Sequence, residues 1–199
     1  MKIRNGLKAQ KQKALSLHNL ICYTQLAIAH RFNLEEASCI VTEGHFFQGR
    51  FPARRTTQER TWKDRDFEDE LIDEDIIFHY KHIYEVPGGI KEKGVDVWFA
   101  LESYELAQYR DFDFVVLITG DADHEMLARK IKSLKKHVVL LTWNFDDNDS
   151  TSPALEEECT FHIDINKLVD EKESFMDLLT GERRSLFQMA VDPNLMYMD

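Results

Sequence analysis

A chain of 199 residues, 43% hydrophobic and 31% charged, has room for one ordinary α/β core and too little for two large ones. No apolar run approaches the roughly 18 residues of a membrane span, and the amino terminus lacks the apolar stretch of a signal peptide. The net charge of −11 excludes a protein that coats nucleic acid wholesale.

The charge is unevenly placed. Residues 1–34 hold Lys2, Arg4, Lys8, Lys11, Lys13 and Arg31 and no acid, and a second basic segment carries Arg50, Arg54, Arg55, Arg60, Lys63 and Arg65. From Asp66 to Asp75 the sign reverses. Basic segments of this kind can hold RNA phosphates at a focused site; solvated loops explain them equally well. The three cysteines, Cys22, Cys39 and Cys159, are odd in number and far apart, which reads as buried reduced thiols of a cytoplasmic protein.

In chain order, residues 1–14 are polar, basic and without period, a flexible arm or the remnant of a truncated segment. Ser16 caps a helix to about His30, with Leu17, Leu20, Ile21, Thr24 and Ile28 on one stripe. Cys39–Phe47 alternates in part and reads as a strand, Gln48–Thr61 as a long loop, and Lys63–Asp73 as a helix. Ile76–Tyr80 is a short strand, and Pro87-Gly88-Gly89 breaks a loop over Glu85–Glu92. Asp96–Gln108 is a helix apolar on most faces, hence largely buried. Phe114–Ile118 is a β-branched and aromatic run without alternation, which suits a strand covered on both faces of a parallel sheet. After Thr119-Gly120-Asp121-Ala122-Asp123 a helix runs to Leu134, with Leu127, Ile131 and Leu134 as its seam. Strands at His137–Trp143 and Phe161–Ile165 flank an acidic loop, Asp146–Ser152, and a short helix, Leu155–Cys159. A weakly patterned helix and tail close the chain over 171–199. Strands alternating with helices predict a three-layer α/β/α fold with a mostly parallel sheet. Carboxylates after its central strand would stand where open α/β sheets place their ligands.

Lys93-Gly94-Val95-Asp96 opening a helix, followed by a strand ending Thr119-Gly120-Asp121-x-Asp123, resembles the NYN domain, in the LabA-like branch of the PIN-like nucleases. The resemblance extends from about Leu17 to Asp170, within a domain set at 15–170. It implies a Rossmann-like/PIN-like fold and a metal-dependent ribonuclease acting on RNA. Asp96, Asp121 and Asp123 match the family's metal-holding, catalytic aspartates. Oxygen-only ligands suit Mg²⁺ or Mn²⁺ rather than zinc. The same aspartates stand at helix starts, where acids act as caps. Thr119 matches a small hydroxyl residue that would bond a water or a phosphate. Arg129 and Lys132, in the basic stripe of the following helix, would position phosphates. Ala122 and His124 depart from the family's usual Gly and Phe, and His124 is expected to face solvent.

The family's opening strand, which ends in an Asp-x-x-Asn type motif, has no counterpart upstream of Leu17. Met1 is therefore expected to be an internal start or a fragment boundary. The competing reading is a catalytically impaired RNA-binding or protein-interaction module that keeps the fold. Neither reading involves a membrane, and both leave room for a homo-oligomer.

Overall fold

The computed structural model of the protein describes residues 17–86, 89–91, 93–142 and 151–165. The expected arm at 1–14, most of the acidic loop Asp146–Ser152 and the tail at 171–199 lie outside them. The described residues fall into two compact units, one ending at Lys93 and the other beginning at Gly94. Among the described residues no helix is long and apolar enough to cross a membrane.

The unit ending at Lys93 starts with helix α1, Leu17–Phe32, which buries Leu20, Thr24 and Ile28 at i, i+4 spacing. It ends at Asn33, whose φ of 51° is the left-handed cap that Asn tolerates better than most residues. The amides of Asn33 and Leu34 donate to the carbonyls of His30 and Ala29, so the last turn is closed by a cap and not by a loss of apolar pattern. Strand β1, Gly44–Arg50, pairs in parallel with β2, Ile76–His82, from Gly44↔Ile76 to Arg50↔His82. This corrects the expected strand at Cys39–Phe47. Ile40 and Val41 find no partner and stay exposed, while Gln48–Arg50 are drawn into the ladder because β2 runs on to His82. Helix α2, Gln58–Asp73, connects the two strands. It begins five residues before the expected Lys63, because the Thr57 side chain caps it by accepting from the Arg60 amide at 3.3 Å. Only Leu71 of α2 is buried, and Phe67 meets Phe46 of β1 edge-on at 5.1 Å. Strands β3, Tyr84–Val86, and β4, Gly89–Lys91, form an antiparallel hairpin where a loop was expected.

The unit beginning at Gly94 carries the larger core. Gly94, at φ 78°, is the N-cap of helix α3, Val95–Tyr109, a backbone setting that costs glycine nothing. Strands β5, Phe114–Ile118, β6, His137–Thr142, and β7, Phe161–Asp164, pair in parallel in that order. Helices α4, Glu125–Ser133, and α5, Pro153–Glu158, join them. Val138, Val139, Leu140 and Leu141 of the middle strand are all fully buried. On one face of that strand Leu117, Leu127, Ala128, Ile131 and Leu155 close around Val138 and Leu140. The seam expected on α4 is thus the one used, with Leu134 packed at its margin. Helix α3 departs from expectation: Val95 and Ala107 are buried, but Val97 and Leu101 are 62% and 65% exposed. An all-round apolar helix needs cover on every side to be buried, and this one has cover on one side.

The α/β class and the parallel strand pairing follow the expected pattern, with two parallel sheets and one hairpin among the described residues. The three cysteines are free and half-buried. Cys159 packs against the core, and burial in the main pushes its thiol up to about 11 from an ordinary 9.0. At pH 8 that rise leaves roughly a hundredfold less reactive thiolate, so iodoacetamide should label Cys159 far more slowly in the native chain than in urea. Equal rates would contradict the packing.

Candidate active site at the carboxyl end of β5

β5 ends at Ile118, and the backbone then turns through Thr119 and Gly120 into a single 3-10 turn, Ala122–His124, that leads into α4. The turn is built from its own side chains. Thr119 Oγ1 accepts from the Asp121 amide at 3.2 Å, and Asp121 Oδ1 accepts from the Asp123 amide at 3.0 Å. The Thr119 hydroxyl also shares a 2.9 Å hydrogen bond with His124 Nδ1. Asp121 and Asp123 remain exposed, one carboxyl oxygen of Asp121 being held by its capping bond.

His124 corrects the expectation that it faces solvent: it is 6% exposed. The 3-10 turn swings it inward, where the Phe99 ring meets it edge-on at 4.8 Å. Phe99 lies one helical turn after Asp96, so this contact brings the first turn of α3, with the exposed Asp96, against the β5 turn. Burial pushes the imidazole below its ordinary 6.5, against the opposing pull of Asp121, Asp96 and Asp123 in that order. The three aspartates expected at the rim therefore stand close enough to one buried imidazole for each to act on it. Among the described residues His124 Nε2 has no hydrogen-bond partner. Periodicity could not reveal this histidine, because a three-residue turn interrupts the helical count just where it sits.

Thr119 is engaged within the turn. Its hydroxyl ties the turn to the histidine, an internal hub, and a phosphate contact would have to share that oxygen. Thr119→Val should cost about 1–3 kcal/mol of stability in urea unfolding, because it removes the partner of Nδ1 in a buried ring whose Nε2 has none among the described residues. Thr119→Ser should recover most of the loss; an unchanged midpoint in the valine variant would disprove the hub. Arg129 and Lys132 project from α4 toward carboxylates. Arg129 Nη2 lies 2.7 Å from Glu125 and 2.8 Å from Glu158, and Lys132 Nζ lies 4.0 Å from Glu158. Hydrogen bonding to Glu158 raises the arginine pKa and lowers that of the glutamate.

Among the described residues no three His, Cys, Asp or Glu side chains are placed to hold a metal ion by themselves. The aspartate rim has the donor chemistry of a hard-cation site without forming an all-protein cage. Mg²⁺ is commonly bound in this manner, through one or two carboxylates with water and phosphate completing the shell. A second cluster, on β1–β2, links Glu43 to His45 Nε2 at 3.0 Å and His45 Nδ1 to His79 Nε2 at 2.9 Å, with His79 stacked on Phe47 at 4.4 Å. Register explains it: alternate residues of paired strands share a face, which the sequence spacing alone does not disclose.

No curated protein and no solved structure matches the chain. A family model, NYN domain, matches residues 27–166. That match runs from the last turns of α1 through β7 and takes in both parallel sheets and every aspartate of the rim, so the chain belongs to the NYN domain family, whose fold is PIN-like α/β and whose function is nuclease-like and RNA-related.

Proposed function

We propose that the protein is a divalent-metal-dependent ribonuclease that hydrolyses RNA phosphodiester bonds, with Asp96, Asp121 and Asp123 holding Mg²⁺ or Mn²⁺. What supports this reading is the NYN family match over residues 27–166, together with three exposed carboxylates, one on the first turn of α3 and two on the turn after β5, whose charges each act on buried His124. Held there, the cation would supply an activated water and cover for the negative charge that develops on the phosphoryl and leaving oxygens. The chain's own residues do the rest. The capping bond from the Asp123 amide fixes Asp121, and the Phe99 contact fixes the helix that bears Asp96. The neutral His124, out of water, is a scaffold for the turn. Three carboxylates on a chain of net charge −11 repel a phosphodiester unless a cation offsets them, so the rim itself argues for a metal requirement. Arg129 and Lys132 can take phosphate by exchanging Glu158 for it. The free thiols fit a reducing, cytoplasmic setting.

Incubating a labelled single-stranded RNA with the purified chain in Mn²⁺, in Mg²⁺ and in EDTA tests the proposal. Cleavage in the metals and none in EDTA is the expected result. RNA binding with no cleavage in either metal would put the second reading first, a catalytically impaired RNA-binding or interaction module. The lack of a three-ligand cage among the described residues favours that second reading.

A further inference from the structure

A half-open cavity of about 350 Å³ lies at the carboxyl ends of the other parallel pair, β1 and β2. Arg50, Phe51 and Pro52 line it where β1 ends, and Tyr80 and His82 where β2 ends; α2 contributes Asp64. We propose that this cavity takes an unpaired nucleobase of RNA, while the adjoining basic segment holds the phosphates on either side of it. The proposal rests on the RNA reading above and names a separate site for base recognition.

Its size is at the lower end of small-ligand sites, enough for one base and too small for a duplex. Its arginine does not suit a phosphate. Arg50 is engaged by Glu68 and, at 3.6 Å, by Asp64, so its charge is already balanced. It does suit a flat ring. The Arg50 guanidinium lies 4.9 Å over the Tyr80 ring, and that of Arg60 lies 5.1 Å over Phe51. Aromatic rings interleaved with guanidinium planes are the surfaces on which single-stranded bases stack. The Tyr80 hydroxyl is kept protonated, its pKa pushed up to about 12 by burial first and then by Glu68, so the ring adds no negative charge. The Asp64 carboxylate, 26% exposed, offers an acceptor for base N–H groups.

The surroundings supply the phosphate contacts. Arg54 and Arg55 are exposed on the one-turn helix Ala53–Arg55 that follows Pro52. That loop is preset: the Arg55 amide and the Thr56 hydroxyl donate to the Pro52 carbonyl at 2.8 and 3.1 Å. Trp62, next along α2 from the lining residue Thr61, is 62% exposed. A tryptophan left in water, with Arg60, Lys63 and Arg65 close to it in sequence, offers a second stacking surface.

The test uses fluorescence anisotropy in EDTA, which prevents metal-dependent cleavage, with two labelled oligoribonucleotides of equal length, one with bases and one abasic throughout. The wild type should bind the base-bearing strand at least about tenfold tighter, since stacking one base is worth that much. Phe51→Leu should remove most of that preference, and Trp62→Ala, at an exposed position beside the cavity, part of it, each leaving abasic binding unchanged. Arg54→Gln with Arg55→Gln should weaken both strands alike and flatten their salt dependence. Equal affinity of the wild type for the two strands, or aromatic variants that keep the full preference, would overturn the proposal. Base preference without metal-dependent cleavage would support this cavity and count against the nuclease reading; cleavage without base preference would do the reverse.

Discussion

With Asp121 and Asp123 both replaced by asparagine, the chain is expected to keep its fold and to lose at least a hundredfold of its Mn²⁺-dependent RNA cleavage. The fold survives because the cap needs only an oxygen at Asp121 to receive the Asp123 amide, and an asparagine carbonyl supplies it. Cleavage does not survive, because two of three rim charges are gone and removing even one group that stabilises developing charge costs about 10²–10³ in rate. A second readout separates ligand from cap without relying on turnover. Mn²⁺ should raise the melting temperature of the wild type, since a ligand that binds only the native state stabilises it, and the double variant should show little of that shift. If the double variant cleaves RNA and responds to Mn²⁺ as the wild type does, the aspartates are caps and nothing more.

Leu140→Ala is expected to give the largest stability loss in the chain, about 2–5 kcal/mol. Leu140 is fully buried on the middle strand, paired with Leu117 on one side and His162 on the other, within the core that α4 and α5 cover. A domain is stable by about 5–15 kcal/mol, so the variant should unfold at much lower urea. The protection of β5, β6 and β7 amides in hydrogen exchange should fall with it. Ile77→Ala, at a site 49% exposed on β2, should shift the midpoint little. Comparable losses at the two positions would mean that the core is not centred on β6.

Much of the unit beginning at Gly94 was legible in the residues. Phe114–Ile118 reads as a strand because its β-branched and aromatic run offers no polar face, but the expectation of a central, doubly covered strand is corrected: among the described residues β5 lies at the edge of its sheet beside β6, with only Leu117 buried and Ile118 exposed. Leu127 and Ile131 mark the seam of α4 because a 3.6-residue period survives in sequence whatever the helix packs on. The rim aspartates were legible for the same local reason: each lies within a few residues of the element that carries it. The unit ending at Lys93 was harder to read. The limits of β1 depend on where β2 begins and ends, thirty residues away, and the hairpin of β3 and β4 depends on a pairing that its own residues do not announce.

The sequence by itself determined the α/β class, the order of most elements and the aspartates at the end of β5, all of which follow from short-range patterns of apolar and polar residues. Tertiary structure decided that His124 turns inward against Phe99, that Arg129 and Lys132 meet carboxylates, that one face of α3 stays in water, and that a cavity opens between Phe51 and Tyr80. Each of these depends on which distant segment covers or partners a residue, and burial of that kind is a property of the packed chain that no local window of sequence contains.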